Sequence, residues 1–198
     1  MAFITRLFKS SKWLIVPLML PAFQNVAAEG IDVSRAEARI TDGGQLSVSS
    51  RFQTELPDQL KQALRRGVPL NFTLGWQLSA PTVASYRFKF DQLIGDDSNI
   101  YYKLTFHPLT NRYRVTVGAF STDYDTLDAA LRAIGAVANW KVLHKGTLSG
   151  TEARETKAEI RLLLSTSKLP KPFQINALTS KNWHLDSGWK PLNILGNK

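Results

Sequence analysis

His107, His144 and His184 are the only imidazoles in this chain of 198 residues. None stands two or four positions from another, so no HExxH pair and no facial triad can be written; no EF-hand loop is present either. There is no cysteine, which removes thiolate metal ligands, thiol nucleophiles and disulfides. A hydrolytic serine wants the G-x-S-x-G turn, and the chain has none. Ser149-Gly150 and Ser187-Gly188 read as turns, as does Asp96-Asp97. Asp123, Asp125 and Asp128 form the one acidic cluster, and they read as capping and dipole compensation for a helix that follows. Two carboxylates for glycosidic cleavage need a set spatial separation, which sequence alone does not give. Gly43-Gly44 follows a strand but opens no helix, so it is no phosphate loop. No catalytic residue, metal ligand or cofactor is expected. A carboxylate-dependent hydrolase is a distant reading.

Side chains suited to recognition are easier to find. Trp183 and Trp189 flank Ser187 and Gly188. They read as cover for the end of a core, or one of them as an exposed anchor, a role in which tryptophan is enriched. Arg112 and Arg114, near Tyr101 and Tyr113, read as the solvated face of a hairpin. Arg65 and Arg66 fall in the last turn of a short helix, where positive charge suits the dipole. These six residues, Trp183, Trp189, Arg112, Arg114, Arg65 and Arg66, are the candidate interaction residues.

The clearest element is a strand. Val68, Leu70, Phe72, Leu74, Trp76 and Leu78 alternate with Pro69, Asn71, Thr73, Gly75 and Gln77, so one face is apolar. Such alternation suits an antiparallel sheet with one wet side. Before it, residues 57–66 read as a helix stopped by Gly67. Residues 34–41 and 46–53 alternate around Asp42-Gly43-Gly44 and predict a hairpin. Tyr86, Phe88 and Phe90 predict a strand; Tyr102–Phe106 and Tyr113–Val117 predict a second hairpin. Leu127, Ala130, Leu131, Ile134 and Val137 recur at helical spacing, giving a helix over 126–138 capped by Asp125 or Thr126. Trp140 and Val142 restart extended structure. Ala158 to Leu164 read as a late strand, with Leu163 implying cover on both sides. Phe173–Leu178 and Trp183–Trp189 read as short extended pieces, and the last residues as a tail. The sum is mainly β: an antiparallel two-sheet β-sandwich, immunoglobulin-like in general architecture, with two short helices.

The first 28 residues read as a secretory signal. Arg6, Lys9 and Lys12 precede an apolar run from Trp13 to Phe23, and Val26-Ala27-Ala28 offers a cleavage site. The run is shorter than the roughly 20 residues of a membrane span, so retention as an uncleaved anchor is the lesser reading. Cleavage leaves a single domain at 29–198 and lowers the net charge from +9 to +6. That charge permits contact with anionic lipid or lipopolysaccharide. A periplasmic address argues against nucleic acid.

An ordered set of residues resembles the DUF4390 family, a bacterial domain of unknown function. It runs Leu60, Ala63, Leu64, Gly67, Val68, Pro69, Leu70 and Phe72, then Tyr113 and Val115. Thr126, Leu127, Ala130, Leu131, Ile134, Gly135 and Trp140 continue it. Arg161, Leu164, Leu169, Pro170, Pro172, Trp183, Leu185, Ser187 and Trp189 complete it. The chain departs from the family pattern at Ala80 to Tyr86, where tryptophan-rich sequence is usual, and at Ser165, where an Asp is common. The resemblance implies an exported envelope protein without an assigned activity, and gene neighbourhoods with a membrane sensor histidine kinase. The expected function is therefore an exported periplasmic binding or interaction module whose partner is an envelope or inner-membrane protein. The alternative is a binder of lipid, glycan or lipopolysaccharide, held between the sheets or on a basic face.

Overall fold

A computed structural model describes residues 30–41, 43–79, 99–148 and 156–195. Two sheets form a sandwich around one continuous core. The first hairpin is as predicted: β1 (Ile31–Ile40) pairs antiparallel with β2 (Leu46–Thr54). Helix α1 (Asp58–Arg65) then crosses to the second sheet. Its Leu60, Ala63 and Leu64 are buried, and Gly67 ends it at φ 86°. The Val68 N–H returns to the Ala63 carbonyl at 3.0 Å, which satisfies an orphan carbonyl of the last turn.

Strand β3 (Leu70–Leu78) alternates strictly between buried and half-buried residues. Leu70, Phe72, Leu74, Trp76 and Leu78 are at most 2% exposed. Each such side chain contributes about 1.5–3 kcal/mol when fully buried. Around β3 the six-stranded sheet runs β6-β5-β4-β3-β8-β9, with β4 (Ile100–His107), β5 (Arg112–Val117), β6 (Phe120–Tyr124), β8 (Ala158–Leu164) and β9 (Lys190–Pro191). The four-stranded sheet runs β10-β1-β2-β7, with β7 (Val137–Lys141) and β10 (Asn193–Leu195). The predicted strand at Tyr86–Phe90 and the turn at Asp96-Asp97 lie outside the described residues.

Several expectations need correction. Helix α2 covers only Leu127–Ala133, and Val137 belongs to a strand. Its cap is Thr126, whose hydroxyl accepts from Ala129 N–H at 3.2 Å. The helix stops because Gly135 adopts φ 75°, which one-letter periodicity does not reveal. Phe173–Leu178 is not extended: helix α3 spans Lys171–Thr179. The alternation of Phe173, Ile175 and Ala177 imitates a strand, but Pro170 and Pro172 stand where a first helical turn tolerates proline. Trp183 closes a 3-10 turn, Lys181–Trp183. The presumed tail holds β10, which lies parallel to β1 with Ala38 opposite Ile194.

Gly135 ties the two sheets. Its carbonyl accepts the Ser50 hydroxyl from β2 at 2.9 Å. A Cβ there would stand 2.8 Å from a Phe52 ring carbon and 2.9 Å from Leu162 Cδ2, one from each sheet. Burial pushes the Tyr102 hydroxyl up to about 12, opposed by a hydrogen bond from the Gly135 backbone. Gly135→Ala combines left-handed strain with overpacking and is expected to cost about 2–4 kcal/mol. Urea denaturation of the variant beside Ala133→Gly, which lacks the clash, checks this.

Candidate functional site

The polar face of β3 looks outward, away from the four-stranded sheet. Asn71, Thr73, Gly75 and Gln77 stand on it, and the register sets Tyr101, Leu163, Arg161 and Glu159 beside them. The chain after α3 runs along β8 and dresses this face. Leu164 N–H donates to Leu185 O at 2.8 Å, and Ser187 N–H to Leu162 O at 2.9 Å. The Ser187 hydroxyl accepts from Leu162 N–H at 2.9 Å and is buried. The strip thus pairs with the edge of β8, where Leu163 bridges to Asp186, and Leu163 itself is half-buried.

The strip delivers Trp189 to a gap that Gly75 leaves. The ring carbon Cη2 lies 3.8 Å from where a Cβ on Gly75 would sit. A methyl group there would make ordinary contact with the indole and press more closely on Asn99 Oδ1, at 3.1 Å. Arg161 lies over the same ring, its Cζ 5.7 Å from the centroid. Arg161 is in turn held by Asp186: Nε donates to Oδ1 at 2.8 Å and Nη2 donates to Oδ2. Asp186 Oδ1 also accepts from Gly188 N–H at 2.9 Å. Burial pushes the Asp186 carboxyl up, but the Arg161 and Gly188 hydrogen bonds and the Arg161 charge outweigh it and leave the pKa below the ordinary carboxylate value. Trp189 remains 40% exposed. Nearby on this face, Lys168 Nζ stands 3.9 Å from the Tyr101 ring centroid. Ser165 stands at the departure from the family pattern, and its hydroxyl lies 2.7 Å from that of Thr73.

The other candidates divide among three places. Trp183 is 5% exposed and belongs to the core, so the two tryptophans have opposite fates. With Phe173, whose ring lies 5.6 Å away, it walls an open groove of about 350 Å³ between α1 and α3. Arg66 lines that groove beside Gln59 and Gln62, whereas Arg65 stands exposed in the last turn of α1. Arg112 and Arg114 lie at the far side of the six-stranded sheet. Arg112 pairs with Asp125 at 2.9 Å. Arg114 grips Asp123 with two hydrogen bonds of 2.7 and 3.0 Å, which hold that carboxyl below its usual range. Asp123 and Asp125 are thus ion-pair partners of β5, not caps of α2. Tyr113 points into the core and does not share the outer face with Tyr101.

Sequence reasoning missed Arg161 and Asp186, which lie 25 residues apart. The available signal was Gly75, a glycine in the middle of a strand's polar face, which marks a close approach. His107, His144 and His184 lie on separate elements, and among the described residues no three metal-ligating side chains gather.

Fold and site together define a β-sandwich that carries a half-exposed tryptophan on one sheet face. The chain belongs to the DUF4390 family, a domain of unknown function, whose profile matches residues 28–193. No curated protein and no solved structure matches it. Among the described residues no helix is long and apolar enough to cross a membrane.

The Arg161–Asp186 pair makes a pH-dependent contribution. Because the folded-state pKa of Asp186 lies below its unfolded value, the contribution is present above about pH 4 and fades as pH falls through the folded pKa. Asp186→Asn is expected to lower the urea midpoint at about pH 6 and to lose less of it than the parent between about pH 6 and about pH 2. Midpoints measured across that range check it; parallel curves for both proteins would contradict it.

Proposed function

We propose that this protein is an exported, non-catalytic interaction module of the periplasm, and that it docks an envelope or inner-membrane protein through the sheet face around Trp189. The observation that carries the reading is the mounting of Trp189. An indole left 40% exposed has its edge beside Gly75 and the Arg161 guanidinium over its ring. Tryptophan and arginine are the residues that most often dominate binding energy at interfaces. Here both are fixed before any partner arrives, so little side-chain freedom is left to lose. Export is supported by the basic, apolar and small-residue regions of the first 28 residues, and by a family match that begins at residue 28.

The alternative, a binder of anionic lipid or lipopolysaccharide, draws on the net charge of +6 after cleavage and on Lys168 beside the exposed Tyr101. A ligand between the sheets is less favoured. Phe52, Phe72, Trp76 and Leu104, from both sheets, are essentially fully buried and fill that space.

The test is in-cell crosslinking of tagged protein, followed by capture at low and high salt. One envelope protein retained at high salt is the expected result. Trp189→Ala is expected to stay folded and to weaken capture by at least about 10-fold, as loss of an anchoring aromatic does. Equal capture by parent and variant would overturn the reading. Retention of anionic lipid alone, lost in high salt, would favour the alternative.

A further inference from the structure

Strand β6 is the outermost strand of the six-stranded sheet, and its far side pairs with nothing among the described residues. Natural edges are blunted by prolines, bulges, lysines or unpaired charge. The β6 sequence, Phe-Ser-Thr-Asp-Tyr, has no proline and no lysine, and its register with β5 is unbroken. Its one charge, Asp123, is already neutralised by Arg114, and the adjoining Asp125 by Arg112. Arg112 and Arg114 therefore remove the repulsion that would keep this edge alone.

The backbone geometry says which groups are on offer. Gly118 at φ 56° opens a two-residue turn with Ala119, as a type II′ hairpin requires. Val117 and Phe120 then close the hairpin as a hydrogen-bonded pair. By alternation Thr122 and Tyr124 also turn their backbone groups toward β5, and Ser121 and Asp123 turn theirs outward.

That edge is complementary to itself. Antiparallel about Thr122, Phe120 meets Tyr124 of a second copy, and Ser121 meets Asp123. The first is a cross-strand aromatic pair; the second sets a hydroxyl against a carboxylate. Phe120 is 83% exposed within one copy, so it has apolar surface to cover. The same operation carries it to the end of the sheet where Leu109 stands fully exposed in the β4–β5 loop.

We propose that β6 is a self-pairing edge, through which two copies join antiparallel about a two-fold axis at Thr122 and merge their six-stranded sheets. Trp189 lies toward the opposite edge, beside β3 and β8, so the pairing stands or falls independently of what Trp189 binds. A five-residue edge is a small contact, below about 1,200 Å² in total, so the dimer belongs to the weak class.

Because the chain has no cysteine, an introduced thiol is the sole one. At the axis, non-hydrogen-bonded partners have Cα atoms about 4.5 Å apart, within disulfide range. Thr122→Cys is expected to form a covalent dimer under mild oxidation at least about tenfold faster than Ser121→Cys, whose thiols would lie out of register. Sedimentation of the cysteine-free protein at about 100 μM is expected to show a dimer, and Thr122→Lys, which sets two ammonium groups at the axis, a monomer. Equal crosslinking rates, a monomeric parent at that concentration, or a dimer that survives Thr122→Lys would each overturn the proposal. A monomeric parent would instead suit an edge that takes a strand from another protein.

Discussion

The alternation along β3 is the constraint from which the remaining placements follow. It is hydrogen-bonded on both sides, to β4 and to β8, and its buried residues reach the middle of the sandwich. A one-residue slip would turn Phe72 and Trp76 to solvent and Thr73 and Gln77 to the core. With the register locked, Gly75 has to face outward. The edge of the Trp189 indole comes to rest beside it.

The two ends of the outer face use charge differently. Near β9, Asp186 holds an arginine that lies over the Trp189 ring. Near β6, Asp123 and Asp125 answer Arg114 and Arg112 and leave an edge electrically quiet. A chain that is basic overall thus places its acids where they organise particular arginines. Net charge alone is a poor guide to which surface meets a partner.

Much of the fold was legible, because β3, β4, β5, β8 and the first hairpin obey a period of two. Helix α1 was legible through its three buried residues and Gly67. The misreadings have local causes. The α2 pattern runs on through Val137, but the positive φ of Gly135 ends the helix, and a glycine shows its φ only in three dimensions. Helix α3 was hidden by a chance alternation. Strands β6 and β10 are short, polar or exposed, and their pairing depends on neighbours distant in sequence. Of the site, the tryptophans could be picked out, but not which of them would be buried. Trp183 rests on Phe173 in a helix the sequence disguised, and Trp189 rests on Gly75, more than 100 residues away. Arg161 and Asp186 carried no mark, since an ion pair between separate segments has no period.

The late strands have a kinetic consequence. Leu192 alone separates β9, the border of one sheet, from β10, the border of the other. Strand β1 therefore finds one of its neighbours more than 150 residues further along the chain. Such long-range pairing raises contact order and slows folding. A chain of this design cannot complete the border of its first sheet until residues 193–195 are present.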